Sequence, residues 1–202
     1  TLMLSDGLPL HGGQAGGLGL LQIPPMDLAQ VEVVKGVASA LYGSSALGGV
    51  INLVSRRPRV DPERELLVNA TTRGGTDAIG WSSQRVAESL GYTVLMGWHT
   101  QPDVDVDRDG WIDMPDYERI VARPRVFWSG EHGRSVMITT GATREDRRGG
   151  TRAGAVAPDG APYPEGLRTR RYDGGAIGRF PFASSMFSAR ASGTSQVHHH
   201  TF

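Results

Sequence analysis

The chain has 202 residues, of which 28 are glycine, 12 are proline and 39% are apolar, a mix that suits many turns and short strands rather than a helical bundle. Basic and acidic residues balance at 21 each, which argues against nucleic-acid binding, where a net basic face must displace counterions from phosphate. The absence of cysteine excludes disulfide frameworks, cysteine-ligated zinc and thiol nucleophiles, and no apolar stretch approaches the roughly eighteen residues of a spanning helix.

Residues 1–58 are rich in small side chains and carry short β-branched runs at 31–34 and 50–54. They read as a compact α/β unit ending in the basic, proline-stopped Ser55-Arg-Arg-Pro58. Thr1 opens what looks like the middle of a strand, without a basic and apolar leader, so the native N-terminus is expected upstream. Charge and Pro62 break regular structure over residues 59–63.

From Glu65 the chain alternates at period two. Strands are expected over residues 66–73, 80–88, 92–99, 123–130, 134–144, 171–180 and 185–196. Turns fall at 74–77, 90–91 and 131–133, and long polar segments precede 123 and 171. Tight turns alternating with long loops fit an outer-membrane barrel, whose strands of about ten residues point apolar side chains out and polar ones in. A soluble β-sandwich alternates equally well and usually has shorter strands; the barrel signal per strand is weak, so periodicity alone favours the soluble sheet. Lys35 is the only lysine among the 21 basic residues; an arginine bias suits multi-donor pairing with carboxylates, although high genomic GC content is the simpler and better explanation.

The choice is made by residues 6–58. Asp6-Gly-Leu-Pro9, Ile23-Pro24, Val31-Glu-Val-Val-Lys-Gly36, Ser39-Ala-Leu-Tyr-Gly43 and Ala46-Leu-Gly-Gly-Val-Ile-Asn52, in this order and spacing, resemble the C-terminal half of the plug of TonB-dependent outer-membrane receptors. Val37 stands where that family often has proline. More loosely, Asp109-Gly-Trp-Ile-Asp-Met-Pro115 and Arg147-Arg-Gly-Gly-Thr151 resemble the family's early barrel loops.

The resemblance implies a mainly β chain: an α/β plug segment, residues 1–58, then residues 59–202 as antiparallel strands of an incomplete transmembrane β-barrel. It implies a Gram-negative outer-membrane location, contact with outer-membrane lipid, and uptake of a scarce ligand powered by a TonB–ExbB–ExbD energy complex. A ferric siderophore or similar metal chelate is the expected ligand. By the same analogy residues 11–22 form a plug apex facing that ligand, with His11, Gly12, Gly13 and Gln14 as an adaptable polar lip; the plain alternative is a flexible turn.

The sharpest local motif is Asp105-Val-Asp-Arg-Asp-Gly-Trp-Ile-Asp-Met-Pro-Asp116. It fits the twelve-residue calcium-loop template, with Asp105, Asp107, Asp109, the Trp111 carbonyl, Asp113 and Asp116 as oxygen ligands and Gly110 at the bend. Asp116 replaces the usual bidentate glutamate and Pro115 blocks an exiting helix. A solvated acidic loop is the competing reading, and no cofactor is required for transport. His198-His-His200 could place only His198 and His200 on one side of a strand, and reads as a polar strand run. Trp98 and Trp128 are expected at the membrane interfaces. No Ser-His-Asp order and no nucleophile elbow occur in a convincing setting, so no catalytic residue is assigned. The rivals to a receptor are a soluble secreted calcium-binding β module with an adhesion or structural role, and a hydrolase with an unseen site.

Overall fold

The computed structural model describes residues 2–9, 25–36, 46 and 48–202. The first part holds a small mixed sheet of β1 (Leu2–Ser5), β2 (Leu28–Val34) and β3 (Val50–Ser55) in the order β1-β3-β2. Its described residues carry sheet and a 3-10 turn, Pro25–Asp27, rather than α-helix. β3 is central because its apolar run pairs in parallel with β1 and antiparallel with β2. Gly49 makes the entry to β3 feasible: its φ is +93°, and a Cβ there would lie 2.5 Å from the Val34 carbonyl oxygen. Leu4, Ala46 and Val50 form the small core, with Leu2 packed against it.

The remainder is one seven-stranded antiparallel meander: β4 (Glu63–Ala70), β5 (Thr76–Ala87), β6 (Leu90–Gln101), β7 (Asp116–Ser129), β8 (Ser135–Gly150), β9 (Pro164–Phe182) and β10 (Ser185–Thr201). Residues 88–89, 130–134 and 183–184 make short turns at one end. Residues 71–75, 102–115 and 151–163 connect the strands at the other, the last two as long loops.

Residues directly opposite on neighbouring strands share a face, so the register sorts the whole sheet into two surfaces. One is apolar and uncovered: Leu66, Met96, Ile120, Val126, Ile138, Tyr172 and Phe187 line it, with Met96 59%, Ile138 50% and Tyr172 62% exposed. The other faces the small sheet at its lower part and is rich in charge, with Arg119 5%, Arg123 5%, Arg125 3% and Glu145 2% exposed. A protein bathed in water on both sides sorts the opposite way. Trp98 and Trp128 both lie on the apolar face. Trp98 is about eight residues along the ladder from Leu90, the partner of Trp128, or roughly 27 Å at ~3.4 Å per residue. Allowing for strand tilt, they bracket a band of the height expected for lipid chains.

The strands run further than alternation alone indicates. β7 starts at Asp116 and β9 at Pro164, and β8 continues to Gly150. Segments that read as polar loops are strand because both of their faces meet polar surroundings there, so alternation vanishes. Cross-strand ion pairs hold the register instead, Asp146 with Arg168 on one row and Arg119 with Glu145 on the next.

Val94 lies midway along the apolar band, opposite Pro124. In the full-length protein in lipid, Val94→Arg is expected to cost about 2–4 kcal/mol in unfolding free energy, measured by urea titration. A cost near zero would mean that this face meets water.

Candidate functional site

The interface between the small sheet and the inner wall is built from buried charge. Asp6 follows β1 and accepts the Ser55 N–H at 3.0 Å and the Ser55 hydroxyl at 2.7 Å. Asp27 ends the 3-10 turn before β2. Both carboxylates face Arg125 of β7: Asp27 Oδ2 accepts from its Nη1, and Asp6 Oδ2 lies 3.8 Å from its Nε. All three side chains are nearly inaccessible, at 2%, 2% and 3% exposure. Charges this deep are tolerated only when paired, so the ion cluster fixes the small sheet against one row of the wall.

Arg56 and Arg57 leave β3 in succession and grip the wall at two places. Arg56 lies 3.7 Å over the Trp81 ring of β5 and bonds Glu65 at 2.6 Å. Arg57 sits 4.8 Å over the Phe127 ring of β7, donates to Met137 Sδ at 3.5 Å and lies 3.9 Å from Asp6. Burial lowers the affinity of the Arg57 guanidinium for its proton, with Asp6 acting in the opposite sense. Leu8 adds an apolar contact against Phe127 and Met137. A cavity of about 590 Å³ remains between the two sheets at the short-turn end, lined by Asp6, Glu32, Arg57, Arg85, Arg179 and Arg190 among others.

Higher on the inner wall, Arg123 of β7 reaches across β8 to Asp173 of β9 at 2.9 Å. Gly141 is what lets it pass, because a Cβ there would stand 2.6 Å from the Asp173 carboxylate. Two rows further up, Asp77 accepts from Asn69 at 2.9 Å and pairs with His99 at 2.8 Å. On the same level Glu145 takes bonds from Arg119 and Arg147, and Thr169 meets His198 at 2.8 Å. Glu145 and Asp146, adjacent in sequence, thus part company: Glu145 enters the wall and Asp146 pairs on the outer side with Arg168 at 3.0 Å.

The long loops lean on each other. Asp103 pairs with Arg152 at 3.1 Å, the Trp111 and Tyr163 rings stack at 5.9 Å, and a backbone bridge joins Trp111 to Thr151. Of the expected calcium ligands, Asp105, Asp107 and Asp109 bring one oxygen each within 4.8 Å of one another. Asp113 instead accepts the Val106 N–H at 2.7 Å, and Asp116 is the first residue of β7, opposite Arg148. Asp105 also accepts the N–H groups of Arg108 and Gly110, and Asp109 that of Trp111; these bonds shape the loop whether or not an ion binds. The expected apex residues His11, Gly12, Gly13 and Gln14 lie outside the described residues.

The wall arginines were not singled out from sequence. Their signal is the spacing Arg119, Arg123, Arg125, all odd positions of one strand and hence one face, while the partners Asp6 and Asp27 are distant in the chain.

The family model for the TonB-dependent receptor plug domain matches residues 1–50. The ferrioxamine receptor of Yersinia enterocolitica is 27% identical over 169 residues, covering 84% of this chain and 22% of that protein. The vitamin B12 transporter BtuB of Vibrio vulnificus (strain YJ016) is 47% identical over 53 residues, 26% of this chain and 9% of that one. The chain therefore spans less than a quarter of the length of either relative. In fold it is similar to the siderophore receptor PirA from Pseudomonas aeruginosa, with TM-score 0.73 and 19% identity over 100% of this chain and 33% of that one. The siderophore receptor PiuA from Acinetobacter baumannii gives TM-score 0.69 and 16% identity over 98% of this chain and 30% of that one.

Replacing Arg125 by methionine strands two carboxylates, and is expected to cost about 3–5 kcal/mol. Limited proteolysis of the full-length protein should then cut within residues 1–58 faster than in the parent. Proteolysis at the parent rate would show that this cluster does not hold the small sheet in place.

Proposed function

We propose that the chain is part of a TonB-dependent outer-membrane receptor, the family whose plug model matches residues 1–50 and to which its longer relative belongs, with the following division of labour. Residues 1–58 are the end of the plug, and residues 59–202 are the first strands and outer loops of the barrel wall. The whole receptor takes up a scarce ligand with energy from a TonB–ExbB–ExbD complex. The supporting observation is the sheet with its apolar face uncovered and its charged face ion-paired to the small sheet. A soluble secreted calcium-binding module has no use for that arrangement, since water on the apolar face would be costly.

A ferric siderophore or similar metal chelate is the ligand this reading favours. The longer curated match, over 169 residues, is a ferrioxamine receptor, whereas the vitamin B12 transporter match is confined to 53. Chelate would rest on the apex, His11 to Gln14, and on the upper inner wall. In a strain stripped of its own siderophore receptors, the full-length gene should restore uptake of a labelled ferric chelate, and deletion of TonB should abolish it. Uptake that persists without TonB, or recovery of the protein from the medium, would refute the reading. His11→Ala with Gln14→Ala should weaken chelate binding by about tenfold, the effect of one or two lost hydrogen bonds.

Calcium belongs to this reading as a stiffener of the outer loop, held by Asp105, Asp107 and Asp109. Calorimetric titration of the receptor should show heat near millimolar calcium, as in extracellular sites, and none after Asp105→Asn with Asp107→Asn. A silent parent removes the ion.

A further inference from the structure

On the inner wall above the apolar band, β10 carries two imidazoles on one side. His198 stands opposite Thr169 and His200 opposite Leu167, and the same rows continue to Glu145 and Arg147 on β8. His199, between them, stands opposite Arg168 and belongs to the outer face. The His198 and His200 ring centroids are 6.4 Å apart.

We propose that His198 and His200 form a two-imidazole site for a borderline divalent cation, such as zinc, copper or nickel, on the lumen side of β10. Two features beyond proximity support it. Each ring has a neighbour that sets its orientation: His198 Nδ1 meets the Thr169 hydroxyl at 2.8 Å, and the His200 ring stacks on Phe202 at 6.1 Å with 15° between planes. In addition, in the tautomer that carries its proton on Nδ1, His198 donates to the Thr169 oxygen and would offer a metal its Nε2. An imidazole that binds metal through one nitrogen characteristically has the other held by such a hydrogen bond. Bond lengths of about 2.0–2.1 Å from each nitrogen to the metal require the rings to close by roughly an ångström, which side-chain rotation in a strand supplies. Imidazole nitrogens favour late first-row cations over calcium or magnesium, so this site and the outer carboxylate loop select different ions. The remaining coordination positions would be filled by water or by a donor atom of an incoming chelate.

The probe is copper(II) alone, added to the full-length receptor in detergent and followed by electron paramagnetic resonance and calorimetry. One copper per receptor with a two-nitrogen signature is expected. His198→Ala and His200→Ala should each weaken binding at least tenfold and remove one nitrogen, while His199→Ala should leave both readouts unchanged. Thr169→Val should weaken binding by about tenfold, the usual effect of losing the hydrogen bond behind a ligand. Retained heat-modifiable mobility on gels confirms folding of each variant. Copper binding that survives the double His198→Ala, His200→Ala change, or that falls equally with His199→Ala, would overturn the proposal. So would no binding to the folded parent. None of these results bears on TonB-dependent uptake, so the site can fail while the receptor reading stands.

Discussion

A strand sends successive side chains to opposite faces, and everything in this chain follows from that parity rule acting where the two faces meet different solvents. Met96, Ile120, Ile138 and Phe187 lie on one face and Arg119, Arg123, Arg125 and Glu145 on the other. Were the register of β7 to slip by a single residue, a guanidinium would enter lipid and an isoleucine would enter the ionic interface. The penalty at both faces keeps the seven strands in one alignment. Above the apolar band this constraint relaxes, and pairing of opposite charges across strands takes over the same task.

The charged face then determines how the plug segment is held. Among the described residues, apolar contact comes from Leu8 against Phe127 and Met137, and from Met26 against the Ile79, Trp81 and Leu95 cluster. The ionic contacts of Asp6, Asp27, Arg56 and Arg57 are more numerous and more directional. Directional contacts of this kind add less to net stability than their number suggests, because each charge gives up hydration. They do define a single seating, since a shift of a few ångströms leaves charges unmatched in a dry interface. A segment packed against a polar wall is held in one position better by such contacts than by a greasy surface that could slide.

Much of the fold was legible in the sequence, and the limits were physical. Alternation located the apolar centres of the strands, as in residues 92–99 and 185–196, and the glycine- and proline-marked turns separated them. It failed over residues 116–122 and 145–150, where polar surroundings on both faces erase the pattern. The plug motifs were readable because short motifs in fixed order, such as Asp6-Gly-Leu-Pro9 and Val31-Glu-Val-Val-Lys-Gly36, carry information that periodicity lacks. The ion cluster was not, since Asp6, Asp27 and Arg125 are joined only by tertiary structure. The aspartate loop was half legible: three of its carboxylates converge, while the strand ladder claims Asp116.

Gly141 carries a consequence for mechanics. By leaving a gap in β8 it allows Arg123 and Asp173, two strands apart, to clasp directly. A hydrogen-bonded ladder links only neighbours, so load on one strand ordinarily decays from strand to strand. This clasp skips a neighbour and ties three strands into one stave, stiffening the wall against shear between strands.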